Sequence, residues 1–194
     1  LKLPQFEPGR VMTVVGSVSF KSREQLKALL REPDLAGVEW NVSRILQSEE
    51  SMQHEVERVL DRILEVHRNG LHIVLYSSGS PNDVANARMI GRRRGKDVKA
   101  VSDFVSRTLG SITAKAVEAC DVKYLMLTGG DTAKQVCLSL GANELELIEE
   151  IESGVPLCRI GDKYVITKAG GFGNDRALVR FMQLFKGGQT IWNQ

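Results

Sequence analysis

Three short stretches combine glycine with hydroxyl, carboxylate or ammonium groups in patterns that suit a bound phosphate. The first is Thr128-Gly129-Gly130-Asp131-Thr132-Ala133, which follows an apolar run and opens an amphipathic one. A strand that turns through glycines into a helix brings backbone N–H groups and the positive end of the helix dipole to one point. Asp131 or Thr132 is placed to cap that helix. Asp131 is also placed to sit near Mg²⁺ or to accept a proton from an attacking hydroxyl. A plain strand-to-helix turn with an aspartate cap fits the same residues.

The second stretch is Thr167-Lys168-Ala169-Gly170-Gly171-Phe172-Gly173-Asn174-Asp175. Three glycines in four positions, Gly170, Gly171 and Gly173, are costly in chain entropy and point to a loop that needs special dihedrals or close ligand approach. Lys168 offers a point charge to a phosphate, and Asn174 or Asp175 is placed to cap a following helix. The third stretch, Gly16-Ser17-Val18-Ser19, places two hydroxyls directly after a β-branched run. They suit a phosphate or ribose contact, or a local hydroxyl-to-backbone turn. Walker A, GxGxxG and GxSxG patterns are absent from the sequence.

The elements that must position these loops follow from periodicity. Short apolar runs at residues 11–15, 38–42, 71–76 and 122–127 have strand length, and shorter ones follow at 145–151, 157–160 and 164–167. Gly161-Asp162 between the last two reads as a hairpin turn. The strongest helix spans residues 48–69, with Met52, Val56, Val59, Leu60, Ile63, Leu64 and Val66 on one face. Others are expected from a Ser22/Gln25 capping box to before Pro33, from Asn82 or Asp83 to about Arg94, and over 102–119, 132–140 and 174–185. Gly110 weakens the helix over 102–119 locally. The basic run from Gly91 to Lys96 reads as a solvated helix end. Alternation of strands and helices predicts a layered α/β/α fold with a largely parallel mixed sheet, and short antiparallel strands are added near the C-terminus. Residues 1–10, with Pro4 and Pro8, read as a linker or leading arm before one domain over 11–194.

At 194 residues, with a net charge of +2, the chain has length enough for one core and no charge excess favouring a nucleic-acid or membrane partner. Cys120, Cys137 and Cys158 lack CxxC spacing, and His54, His67 and His72 show no ligand spacing, so no metal-ligating residue is assigned. Unpaired thiols fit a reducing, cytoplasmic compartment. The chain begins Leu1-Lys2-Leu3-Pro4 without an initiator methionine, which reads as a leader removed by processing or, preferably, as a piece of a longer polypeptide.

Taken together, Gly16-Ser17-Val18-Ser19, Gln25, Thr128-Gly129-Gly130-Asp131-Thr132-Ala133, Gly154-Val155-Pro156-Leu157 and Lys168-Ala169-Gly170-Gly171-Phe172-Gly173 resemble the C-terminal nucleotide-binding domain of the four-carbon acid sugar kinases (DUF1537). The resemblance covers residues 11–185. It implies ATP-dependent phosphorylation of a small sugar acid such as threonate, erythronate or 3-oxo-tetronate. Ser17, residues 129–132 and the glycines around Gly171 would then contact ATP. It implies a separate N-terminal domain holding most of the acid-sugar site, so that this piece alone would be inactive, and it admits a homodimer. Some members have carried the label of type III effector. Two departures stand out: Phe20-Lys21-Ser22 replaces a Pro-Val-Thr-like run, and Ala169 stands where serine is common. The rivals are a non-catalytic effector or interaction module that keeps the fold, and an enzyme gripping another phosphorylated metabolite.

Overall fold

The computed structural model describes residues 3–187. Leu1, Lys2 and residues 188–194, which belong to the expected leading arm and to the end of the expected domain, lie outside the described residues. Strand β1 (Arg10–Val15) leads through α1 (Phe20–Leu29) to β2 (Leu35–Trp40). Helices α2 (Val42–Gln47) and α3 (Glu49–Arg68) precede β3 (His72–Ser77). Then come α4 (Pro81–Arg93), α5 (Val98–Ala119), β4 (Val122–Thr128) and α6 (Gly130–Ser139). The chain closes with β5 (Glu146–Glu152), β6 (Val155–Ile160), β7 (Lys163–Lys168) and α7 (Ala177–Phe185).

The strands form one sheet in the order β2-β3-β1-β4-β7-β6-β5. The first five are parallel, whereas β6 pairs antiparallel with β7 and β5 antiparallel with β6, so the expected α/β/α fold with a mixed sheet is the one observed. Each central strand is buried on both faces, which is why β4 reads Tyr-Leu-Met-Leu without polar alternation. One face is covered by α3, α5 and α6 through Val59, Ile63, Leu109, Ile112 and Val136. The other is covered by α1 and α7 through Leu26, Leu29, Phe181 and Phe185. Gly110 of α5 has a specific use: a Cβ there would lie 2.7 Å from the Gln135 carbonyl oxygen, so its absence lets α5 and α6 approach closely.

The leading segment is held by packing. Phe6 is 7 % exposed and meets Tyr124, Tyr164 and Phe185 edge-on, with centroids 5.2–5.7 Å apart. The Tyr124 hydroxyl donates to the Glu7 carbonyl at 2.5 Å.

Several expected boundaries move for local reasons. Helix α1 starts before Ser22 because Ser19 is its cap, its hydroxyl accepting from the Ser22 N–H. Val42 belongs to α2, capped by Asn41, and not to β2. Helix α4 begins at Pro81 under a reciprocal Ser80–Asp83 capping box. Asp97 starts α5 four residues earlier than the periodicity implies. The Gly161-Asp162 hairpin is present, with Ile160 paired to Lys163. The basic run does end α4, and Arg94 also donates to the Leu46 and Gln47 carbonyls at the end of α2.

Candidate functional site

Strand β1 continues toward the β2 edge of the sheet, whereas β4 continues toward the β5 edge. The chain thus leaves the two neighbouring strands in opposite directions. In open α/β sheets this switch point leaves a crevice at the carboxyl ends of the strands. Residues 16–19 follow β1, residues 129–132 follow β4, and residues 169–173 follow β7, which pairs with β4. The three glycine or hydroxyl stretches therefore lie side by side along one sheet edge.

Backbone bonds lock them together. The Gly16 N–H donates to the Thr128 carbonyl at 3.3 Å, and the Gly129 N–H donates to the Lys168 carbonyl at 3.0 Å. Across the first and third stretches the Ser22 hydroxyl donates to the Gly170 carbonyl at 2.8 Å. Packing is close enough to exclude side chains. A Cβ on Gly16 would sit 1.9 Å from Thr132 Oγ1, and one on Gly170 would sit 2.3 Å from Ser17 Oγ. Ser17 accepts from the Ser19 N–H at 3.3 Å and donates to its hydroxyl at 3.1 Å.

Helix α6 differs from the expected arrangement. Neither Asp131 nor Thr132 caps it: Gly129 is the N-cap, at φ 102 and ψ 125, and no side chain accepts from the first turn. The positive φ turns the chain within one residue of the strand, so Asp131 and Thr132 already lie inside the first turn. The N–H groups of Gly130, Asp131 and Thr132 consequently have no acceptor among the described residues. Those of Gly170, Gly171 and Gly173 have none either. Helices α1 to α5 all carry a side-chain cap. Asp131 and Gly130 are exposed, whereas Thr132 is buried.

Lys168 is 4 % exposed, with Nζ 3.4 Å from the Gly170 carbonyl oxygen. Burial lowers its pKa from the usual lysine range to about 8. It lines a cleft of about 500 Å³ whose apolar wall is Ala133, Cys137, Leu138, Ala142 and Leu145. That wall and the lysine end suit a flat apolar ring joined to an anion. A second hollow of about 260 Å³ lies beside residues 129–132, with Ser17, Asp131, Ser106 and Leu109 among its lining.

Asn174 and Asp175 do not cap α7, which starts at Ala177. Residues 174–176 are taken up by a turn in which Asn174 Oδ1 accepts from the Arg176 N–H at 3.0 Å, and Asp175 pairs with Lys21 at 2.8 Å. Gln25, which reads in sequence as a capping partner, instead lies beneath the glycine loop. Its Nε2 donates to the carbonyls of Phe172, Gly173 and Asn174. Ser22 likewise reads as a cap but spans 148 residues to Gly170. No local signal reveals such long-range bonds.

Known proteins resemble this chain in sequence and fold. A D-threonate kinase of Salmonella typhimurium is 28 % identical over 173 residues, covering 87 % of this chain and 40 % of its own length. A 3-oxo-tetronate kinase of Pectobacterium atrosepticum is 26 % identical, covering 94 % and 41 %. The chain thus spans about two fifths of the length of these curated relatives. A Bordetella bronchiseptica DUF1537 crystal structure, described as a domain-swapped dimer with bound citrate, superposes with a TM-score of 0.71. It is 26 % identical and covers 92 % of this chain and 41 % of its own. A Haemophilus influenzae DUF1537 protein, 19 % identical with a TM-score of 0.74, shares the fold. Residues 12–178 match the family described as the nucleotide-binding C-terminal domain, and the chain belongs to that family.

Proposed function

We propose that this chain is the nucleotide-holding part of an ATP-dependent kinase whose acceptor is a small four-carbon sugar acid such as threonate, erythronate or 3-oxo-tetronate. The observation that carries the reading is the convergence on one switch point of two loops with unpaired N–H groups and the hydroxyl-bearing Ser17–Ser19 turn. The kinase names of the relatives support it over a non-catalytic module. The adenine ring would lie against the apolar wall of the 500 Å³ cleft. Phosphates would be held by the amides of Gly130, Asp131 and Thr132 beyond the Gly129 turn, the Ser17 hydroxyl and the amides of Gly170, Gly171 and Gly173. Phosphoryl transfer needs positioning and charge neutralisation more than covalent chemistry, which matches a site made of backbone amides and one lysine. Lys168 would supply charge to the transferring group.

Among the described residues no three His, Cys, Asp or Glu side chains gather as a metal cage. That fits Mg²⁺, which is held by one or two carboxylates together with phosphate oxygens and water. Asp131 is the carboxylate in position, and the ion would neutralise developing phosphate charge. Alternatively Asp131 accepts the proton of the acceptor hydroxyl. The sugar acid itself would be held mainly by a separate N-terminal domain, with self-association into a homodimer and a cytoplasmic setting. No helix among the described residues is long and apolar enough to cross a membrane.

Calorimetric titration of ATP with and without Mg²⁺ tests the reading. Wild type should bind, and Asp131→Ala should lose the Mg²⁺-dependent part of the affinity if the carboxylate holds the ion. Unchanged affinity with turnover lost in the full-length protein would assign the proton instead. No binding by well-folded wild type refutes the nucleotide reading. Competition by simple sugar phosphates would favour a grip on a phosphorylated metabolite.

A further inference from the structure

Gln25 is completely buried in α1. Its Nε2 lies 2.8 Å from the Phe172 carbonyl oxygen, 3.3 Å from that of Gly173 and 2.9 Å from that of Asn174. An amide carries only two N–H donors, so at least one is shared. Its Oε1 is buried without a partner among the described residues. A buried acceptor left unpaired is costly, and an apolar side chain of similar length would avoid that cost. The three carbonyls are what the amide serves.

We propose that Gln25 is the positioning residue of the glycine loop. By drawing the carbonyls of Phe172, Gly173 and Asn174 inward toward α1, it turns the Gly173 N–H, trans to the Phe172 carbonyl, outward to face an anionic ligand, as the Ser22 bond to the Gly170 carbonyl does for the Gly171 N–H. Gly173 wraps around the amide at φ 80, where a Cβ would meet Ala177 Cβ at 2.7 Å and Gln25 Nε2 at 3.5 Å. The same helix adds the Ser22 bond to Gly170 and the Lys21–Asp175 ion pair. Because α1 begins directly after the Ser17–Ser19 turn, it joins that turn and the glycine loop into one body. The effect on ligand affinity rests on the nucleotide reading above, whereas the effect on the loop does not.

The test uses Gln25→Met and Gln25→Glu, read by hydrogen exchange over residues 169–176, thermal unfolding, and ATP calorimetry with Mg²⁺. Gln25→Met preserves volume and should unfold within a few degrees of wild type, yet exchange in the loop should quicken about tenfold and the ATP Kd rise about tenfold. Gln25→Glu, which aims a carboxylate at three carbonyls, should do both more strongly. Gly110→Ala, remote from the loop, serves as the control: it should lower the Tm without quickening loop exchange. Should the Met variant not fold, Gln25→Asn keeps the amide but withdraws it, and should loosen the loop in the same way. Loop exchange equal to wild type in a folded Met or Asn variant overturns the proposal. If wild type binds no ATP, the nucleotide reading falls while loop exchange still decides the role of Gln25.

Discussion

Alanine at Gly129 and alanine at Gly130 are adjacent substitutions that the structure separates completely. At Gly129 the backbone stands at φ 102, ψ 125, a region nearly closed to side-chain-bearing residues. The added methyl would meet only ordinary contacts, Thr132 Oγ1 at 3.4 Å and the Ser17 N at 3.6 Å, so the cost is conformational and not steric. Such strain costs about 1–3 kcal/mol. For a chain of this size each kcal/mol moves the Tm by roughly 2–4 °C, so a central loss of about 2 kcal/mol gives about 4–8 °C. Gly130 is the first residue of α6, lacks the positive φ, and its Cβ would meet nothing within 4 Å. There alanine should gain about 0.4–1 kcal/mol by restricting the unfolded chain. Yet that methyl stands where the free amides of α6 would meet a phosphate, so the ATP Kd should rise about tenfold, a loss comparable to one hydrogen bond. Differential scanning fluorimetry and calorimetry on both variants decide the matter. A Gly129→Ala protein as stable as wild type refutes the conformational argument, and a Gly130→Ala protein with unchanged ATP affinity refutes the assignment of those amides.

Other outcomes follow from the same structure. Gly110→Ala should destabilise by about 1–3 kcal/mol, measured by urea unfolding, because its Cβ would meet the Gln135 backbone. Phe6→Ala should cost about 3 kcal/mol in urea unfolding because Phe6 is buried among Tyr124, Tyr164 and Phe185, and a loss well under about 1 kcal/mol would refute its place in the core. Lys168 has a folded pKa of about 8, below its unfolded value, so between about pH 8 and 10.5 the unfolded chain binds more protons. Stability should therefore rise with pH through that window, and urea unfolding of Lys168→Met should lose this rise. ATP affinity should fall over the same range as the ammonium discharges.

How much of this could be read from the sequence depended on the range of the forces involved. The stripe from Met52 to Val66 repeats over about four turns and located α3 to within a residue or two at each end. Helix α2 is only six residues, too short to show a period, so Val42 reads as strand. The glycine stretches were legible as loops because their residue types are locally demanding. Their meeting was legible only as an inference from a parallel sheet. The partners of Ser22 and Gln25 were not legible, since the amide that looks like a local cap serves carbonyls almost 150 residues away. Phe6 was hidden by flanking prolines that made the segment look solvent-bound. Asp131 looked like a cap because sequence cannot show that Gly129 already turns the chain.

The three walls of the site come from residues 16–19, 129–132 and 168–173. The strand that joins the last two, β7, pairs with β4, follows β5 and β6 in the chain, and is the strand through which that hairpin reaches the rest of the sheet. During synthesis the site is therefore among the last things completed, and a chain cut before β7 would lack both the 168–173 wall and the α7 cover of the second core face. A ligand holding all three walls binds only the finished fold. It would add stability by mass action, about 2.7 kcal/mol at a hundredfold excess over its Kd. Occupancy would then report on the integrity of the whole chain.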